Sequence, residues 1–303
     1  MSEEFSVKFW GVRGSYPTPG FLTANVGGNT SCVEVRVNGH LIILDAGSGI
    51  INLGRALEEE YQDKDDLLVA TILFSHTHHD HTLGFPFLGP AYWGQSVFYM
   101  FGPRTFYEDI EQALRRSMLS PAFPVALEEL KSLKIISNVE ESEAIILERG
   151  REPRLRNLYR DKLILSDEAV KITVLRSYAH PKDGVHIYRI EWRGKSLVYA
   201  TDTESYAGGD TRLINFAQGA DLLIHDAQYT HQEYTGGQSP KQGWGHSTPE
   251  MAAGIAQMAN VGSLVLFHHD PTHGDEVLAE MESNARALFP NSILAREGLA
   301  LTL

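Results

Sequence analysis

Short apolar runs separated by turn residues open the chain. Residues 6–10, Cys32–Val37 and 41–44 read as strands, the second alternating so that Glu34 and Arg36 point outward. Ile50, Leu53 and Leu57 share a helical face and predict a helix over 50–61. Residues 71–74 form a short β-rich run that stops at Ser75 and a histidine cluster.

From about 82 to 169 the pattern loosens. Pro86, Pro90, Pro103, Pro121, Pro124 and Pro153 interrupt it, a helix is predicted over 105–118, and the charged stretch 148–160 suits a solvated loop as well as a binding patch. Alternation returns with strands at Val170–Ser177, 186–192 and 196–200, the last two joined by the hairpin turn Arg193-Gly194. Residues 222–224 and Ser263–Phe267 are buried-strand candidates. One late helix has Ser247 or Thr248 as cap, Pro249 in its first turn and apolar residues to Ala259. Another runs from Asp275 through Leu278, Met281 and Ala285 to Phe289. Strands then helix, twice over, predict an α/β fold of two sheet-plus-helix halves packed sheet to sheet.

The chain has 303 residues, 43% of them hydrophobic and 21% charged, so it is neither disordered nor fibrous. Length alone allows two domains or one large one. Cys32 is the only cysteine, which excludes an internal disulfide and a Cys-rich structural zinc site; it reads as a small buried strand residue. Met1-Ser-Glu-Glu-Phe-Ser is acidic where a signal peptide is basic. The longest apolar run, 67–74, falls far short of the ~18 residues of a membrane span. Together these predict a cytoplasmic protein that does not enter a membrane. The net charge of −13 makes long nucleic acid an unfavoured partner. Thirteen histidines is the unusual count.

Their densest run is Ser75-His76-Thr77-His78-His79-Asp80-His81, directly after a strand. His76, His78, Asp80 and His81 are all metal-competent, and a loop leaving a strand lets them splay toward two neighbouring points. Nitrogen and oxygen donors suit zinc, manganese or iron and disfavour soft thiolate metals.

His76-x-His78-x-Asp80-His81 resembles the signature of the metallo-β-lactamase superfamily, and further segments fall in that family's order. They are Asp45 in Leu44-Asp45-Ala46-Gly47, His180 in Tyr178-Ala179-His180-Pro181, Asp202 in Ala200-Thr201-Asp202-Thr203, and His268 in Leu266-Phe267-His268-His269. The resemblance implies an αββα metallo-β-lactamase sandwich, one domain over 1–303 with an insertion at about 82–169. It also implies two divalent metal ions, zinc first and manganese as an alternative. One would be held by His76, His78 and His180, the other by Asp80, His81 and His268, with Asp202 shared. A water bridging two such cations loses its proton near neutral pH and becomes a nucleophile. Asp45 would orient a ligand, or simply precede the turn at Gly47. His79 is expected to point away, and His269 competes with His268 if the register slips by one.

Gly245-His246-Ser247-Thr248-Pro249-Glu250 resembles the ribonuclease Z and small phosphodiesterase branch, in which the matching histidine is proposed to protonate the leaving oxygen. His246 and Asp80 are therefore the expected catalytic residues, although His246 could also merely start a helix. Gly11-Val12-Arg13-Gly14-Ser15 and Gly27-Gly28-Asn29-Thr30 resemble that branch's opening loops, where amides and Arg13 would approach a phosphate or serve only as turns. Only 22 positions separate His180 from Asp202, too few for the tRNA-grasping arm that ribonuclease Z carries there. The short interval looks more like the 5-phosphoribosyl cyclic phosphodiesterase of the phosphonate pathway, whose extra cysteine ligands one cysteine cannot supply. The 99 positions from His81 to His180 carry Phe85, Phe87, Tyr92, Trp93, Phe98, Phe101 and Phe106, either core or a roof over the site. His225 and Asp226 follow a buried strand and could support the metal ligands from behind, as could His186 and His231, but each is expected by default to be structural; His40 and His273 are expected on the surface.

The expected activity is that of a dinuclear metal-dependent phosphodiesterase acting on a small or cyclic, nucleotide-like phosphodiester; a homodimer is compatible with it. Ribonuclease Z-like RNA 3′-end processing, with an arm made by 82–169, is the enzymatic alternative. A non-catalytic metal-containing sensor is a third reading, and a β-lactamase or thioester hydrolase is open by fold alone.

Overall fold

The computed structural model describes residues 5–62, 64–206, 208–236 and 239–303. The first four residues of the acidic opening segment lie outside the described residues. β1 (Phe5–Gly11), β2 (Cys32–Val37) and β3 (His40–Leu44) pair antiparallel in sequence, and β4 (Leu68–Leu73), β5 (Ser96–Gly102) and β6 (Leu133–Asn138) extend the sheet in parallel from β3. A second sheet takes β7 (Glu143–Leu147), β8 (Arg154–Asn157), β9 (Val170–Ser177), β10 (Val185–Trp192), β11 (Lys195–Ala200), β12 (Leu222–Asp226), β13 (Ser263–Phe267) and β14 (Ser292–Leu294). Its order is β14-β13-β12-β11-β10-β9-β7-β8. β15 (Ala300–Thr302) returns to pair with β1, so the two ends of the chain meet in the first sheet.

Helices cover the outer faces. α1 (Gly49–Tyr61) packs on β1 and β2; the four-residue α2 (His79–Thr82) follows β4; α3 (Ile110–Ser117) packs on β6. On the second sheet, α4 (Thr211–Ala217) lies against β9 and α6 (Pro249–Met258), while α5 (His231–Thr235) follows β12. α6 covers β12 and β13, and α7 (Asp275–Leu288) packs on α6 and β14. The architecture is the expected αββα sandwich.

Side-chain alternation explains the strand sequences. Along β3, Ile42 and Leu44 enter the core between the sheets, whereas Leu41 and Ile43 join the apolar layer beneath the helices; along β5, Tyr99 and Phe101 do the first and Phe98 and Met100 the second. Both faces are covered, so these strands read as unbroken apolar runs. Along β2, Val33, Val35 and Val37 enter the inter-sheet core. Glu34 faces the helix side yet is buried, accepting from Trp10 Nε1 at 2.7 Å and from Arg36, whose guanidinium also reaches Glu60 on α1 at 2.7 Å. Arg193 and Gly194 both take left-handed φ, 46° and 78°, as the predicted tight turn requires.

The predicted helix over 105–118 is shorter than expected. Asp109 and Gln112 form a reciprocal capping box that starts α3 at Ile110, and Thr105 closes a separate turn with Glu108. Residues 82–169 supply β5 and β6 to one sheet and β7 and β8 to the other. Phe85, Phe98 and Phe101 are core residues, whereas Phe87 and Phe106 are exposed. Among the described residues no helix is long and apolar enough to cross a membrane.

Parallel pairing of β3 with β4, and of β11, β12 and β13, brings their C-terminal ends to one edge of the sandwich. Chemistry collects at such ends because the loops leaving them are free to vary.

His186 on β10 is buried, and neither ring nitrogen has a hydrogen-bond partner. Burial, aided by Arg176, lowers its pKa to about 3. The unfolded chain takes up that proton near the ordinary value of about 6.5, so stability falls as pH drops below it. A His186→Leu variant should keep about 2 kcal/mol more stability than wild type between about pH 6.5 and about pH 5, read from thermal melts. Equal pH slopes would contradict this.

Candidate active site

Three polar residues at the strand ends adopt the left-handed conformation, disfavoured without a compensating contact. Asp45 (φ 60°) follows β3, Asp202 (φ 50°) follows β11 and His268 (φ 61°) follows β13. Each turns its side chain into a common space. From the first sheet, the loop after β4 brings His76 and His78, and α2 brings Asp80 and His81; His180 arrives from the loop between β9 and β10.

These side chains form two adjoining groups. His76, His78, His180 and Asp202 bring ligand atoms within 4.8 Å of one another, and so do Asp80, His81, Asp202 and His268. Asp202 belongs to both. Its Oδ2 lies 3.6 Å from His76 Nε2 and 3.8 Å from His180 Nε2, while Oδ1 lies 3.1 Å from His81 Nε2 and 3.2 Å from His268 Nε2. His78 presents Nδ1, 3.1 Å from His180 Nε2.

A second layer turns the rings. Asp45 accepts from Ser75 N at 2.7 Å, and from the Ser75 hydroxyl, His81 Nδ1 and Tyr199 OH, each at 2.8 Å. Holding Nδ1–H of His81 leaves its Nε2 lone pair facing Asp80 and Asp202. His268 Nδ1 is held by Gln228 Oε1 at 2.9 Å, and His180 Nδ1 by the Gly245 carbonyl at 3.1 Å. Glycine is required at two points of closest approach: a Cβ on Gly14 would lie 2.3 Å from the His268 ring, and one on Gly245 would lie 2.4 Å from His180 Nδ1.

The arrangement fits divalent cations. His76 Nε2 is buried with no hydrogen-bond partner, and the Nε2 atoms of His81 and His268 face each other at 3.3 Å. Lone pairs gathered this way, beside buried carboxylates, require a positive charge between them. Nitrogen and carboxylate donors without thiolate suit zinc or manganese.

His246 lies beside this cluster, its ring stacked on His268 at 5.0 Å and edge-on to His180 at 5.1 Å. Its Nδ1 is 2.7 Å from Asp226 Oδ2, and Asp226 Oδ1 accepts from Ser247 N at 2.9 Å. Burial alone would strip the ring of its proton, but the Asp226 carboxylate outweighs it and raises His246 to about 9. Asp226, expected by default to be structural with support of the ligands as the alternative, is thus the partner that keeps His246 protonated. Gln228 and Tyr199 also escaped the sequence reading; only their hydrogen bonds to His268 and Asp45 reveal them.

Among the other readings, the phosphate-facing role of Arg13 and the surface position of His273 fail for physical reasons. Arg13 does not face a phosphate: it is wholly buried and donates to the carbonyls of Gly27, Asp270 and His273. The first glycine loop instead supplies Ser15 N, which donates to Asp80 Oδ2 at 2.7 Å. His269 turns away, its Nε2–H donating to the Ala295 carbonyl at 3.0 Å, and burial lowers its pKa to about 3. His79 is exposed at the cleft. His273, expected at the surface, is buried against Glu233 at 2.9 Å. His225 is buried, its Nδ1 on the Asp226 carbonyl.

Above the ligand groups opens a cleft of about 710 Å³, also lined by Tyr107, Glu108, Arg116 and Trp244. Residues 40–269 match the family model described as a β-lactamase superfamily domain. The chain belongs to the metallo-β-lactamase superfamily. It is a metal-dependent hydrolase of that superfamily, and the matched span contains every residue of both ligand groups. Similar proteins include a ribonuclease Z of Pyrococcus abyssi (strain GE5 / Orsay), 24% identical over 96% of this chain and 94% of its own length. A ribonuclease Z of Synechococcus sp. (strain CC9902) is 41% identical over 122 residues, 39% of this chain and only 36% of that relative. Among solved structures, a diphosphatase from the PhnP family shares the fold with a TM-score of 0.65 and 17% identity, over 99% of this chain and 98% of that one.

Asp45→Asn keeps a residue tolerant of left-handed φ but removes the charge that orders His81. Divalent-metal affinity of this superfamily member should fall by roughly 10- to 100-fold, read by competition with a chelator. Wild-type affinity in the variant would show that Asp45 only shapes the turn.

Proposed function

We propose that this hydrolase cleaves a small or cyclic phosphodiester with two divalent cations, zinc or manganese. His76, His78 and His180 would hold one, Asp80, His81 and His268 the other, and Asp202 would bridge them. When bound, such cations supply an activated water and neutralise charge on the phosphoryl oxygens.

The protein's own groups supply the rest. His246, protonated and fixed through Nδ1 by Asp226, directs its other ring nitrogen to the departing oxygen and gives up its proton as the P–O bond breaks. Asp80, on the cleft floor and steadied by Ser15 N, is placed to orient the attacking water. The observation that carries this reading is the Asp226–His246 pair stacked against His268: a general acid beside a ligand cluster suits a poor, oxygen leaving group.

A small substrate is supported by the tight β10–β11 hairpin at Arg193-Gly194, which offers no long arm, and by the net charge of −13. RNA 3′-end processing is the second reading, favoured by the ribonuclease Z relative aligned over 96% of the chain. Precursor tRNA cleavage at low salt would select it. A non-catalytic sensor would bind ligand with turnover no greater than that of Asp80→Ala.

Metal-loaded protein should hydrolyse bis(p-nitrophenyl) phosphate and cyclic nucleotides, and His76→Ala should lose both metal and turnover. Asp226→Asn should lower kcat by roughly 10²- to 10⁴-fold on diesters with alkoxide leaving groups, and much less on p-nitrophenyl esters, whose leaving group needs no proton. A fully metallated protein inert on a broad phosphodiester panel would sink the reading.

A further inference from the structure

Trp244 stands at the mouth of the cleft, 51% exposed, two residues before His246. An exposed tryptophan alone means little, but this one is built in from beneath. The backbone amides on either side of it, Gly243 N and Gly245 N, donate to the two oxygens of Glu204 at 2.8 and 2.9 Å. Glu204 is only 4% exposed and also accepts from Tyr234 OH at 2.6 Å. One buried carboxylate thus pins the turn that carries the indole, and that turn also gives the Gly245 carbonyl to His180. The Lys241 ammonium lies 3.8 Å from the indole centroid and covers part of the ring. Tyr107, 84% exposed, also borders the cleft, on a turn closed by Thr105.

A large flat apolar surface held rigidly at a polar, ligand-lined cleft loses little entropy when another flat group stacks on it. We propose that Trp244 is a stacking platform for an aromatic base, making it a specificity-determining residue that selects nucleotide-like phosphodiesters over sugar or alkyl ones. This rests on the phosphodiesterase reading for the chemistry, but base recognition can be measured apart from it. The general acid and the base platform then ride on one segment, so docking the base sets the scissile bond against His246.

The test is calorimetric binding of adenosine 5′-monophosphate and of ribose 5-phosphate to the metal-loaded full chain, in wild type, Trp244→Ala and Trp244→Phe. The wild type should bind the nucleotide at least about 10-fold more tightly than the sugar phosphate. Trp244→Ala should weaken nucleotide binding by roughly 5- to 100-fold while changing ribose 5-phosphate binding less than about two-fold, and Trp244→Phe should recover most of the loss. Wild-type protein that binds neither probe, or both equally, overturns the proposal, as does an equal loss for both probes in Trp244→Ala. Selective binding with no hydrolysis of any phosphodiester would uphold the platform and remove the phosphodiesterase reading.

Discussion

The Asp202 carboxylate is the contact on which the site depends. It leaves the second sheet in a left-handed turn, fully buried, and its two oxygens face imidazoles from the first sheet, His76 on one side and His81 on the other. Burial would favour the neutral acid, but His268, His81 and His76 outweigh it and hold the group well below the usual carboxylate range. A buried charge of this kind is tolerable only with a matching positive charge. The sandwich therefore delivers ligands from both sheets to one point.

Around that point the rings of His81, His268 and His180 are each fixed by a neighbour with a different origin. Asp45 and Tyr199 come from opposite sheets and meet on one carboxylate; Gln228 follows β12; Gly245 belongs to the turn that Glu204 pins. Because the imidazole orientations are set by hydrogen bonds on their far nitrogens, the near ones are free to bind a cation. His246 is held by the Asp226 carboxylate, which keeps on it a proton that a carbonyl partner would not secure.

The sequence made the strand-end ligands legible because His76 to His81 sit in one short loop, where spacing alone groups them. β2, β9 and β13 were legible as well, since alternating or fully apolar runs have few other places to go. Glu204 was not, and Asp226 only as an alternative to a purely structural role. A buried aspartate after an apolar strand looks the same whether it closes a turn or holds a histidine, and the partner lies 20 residues away. Arg13 misled for the opposite reason. Glycines around an arginine suggest an anion loop, but here close packing against His268 demanded the glycine and the guanidinium was spent on carbonyls. The start of α3 was misplaced because a capping box, not apolar spacing, decides it.

Substrate choice follows from what surrounds the cluster rather than from the cluster itself, since ligand sets of this kind serve many reactions. The claim beneath every other is that Asp202 bridges two cation sites. Crystallography of the metal-loaded protein with anomalous data at the metal edge tests it most directly. Two anomalous peaks are predicted, one among His76, His78 and His180 and one among Asp80, His81 and His268, with a different Asp202 oxygen turned to each. A single peak, or peaks that leave Asp202 outside the coordination, would contradict the account.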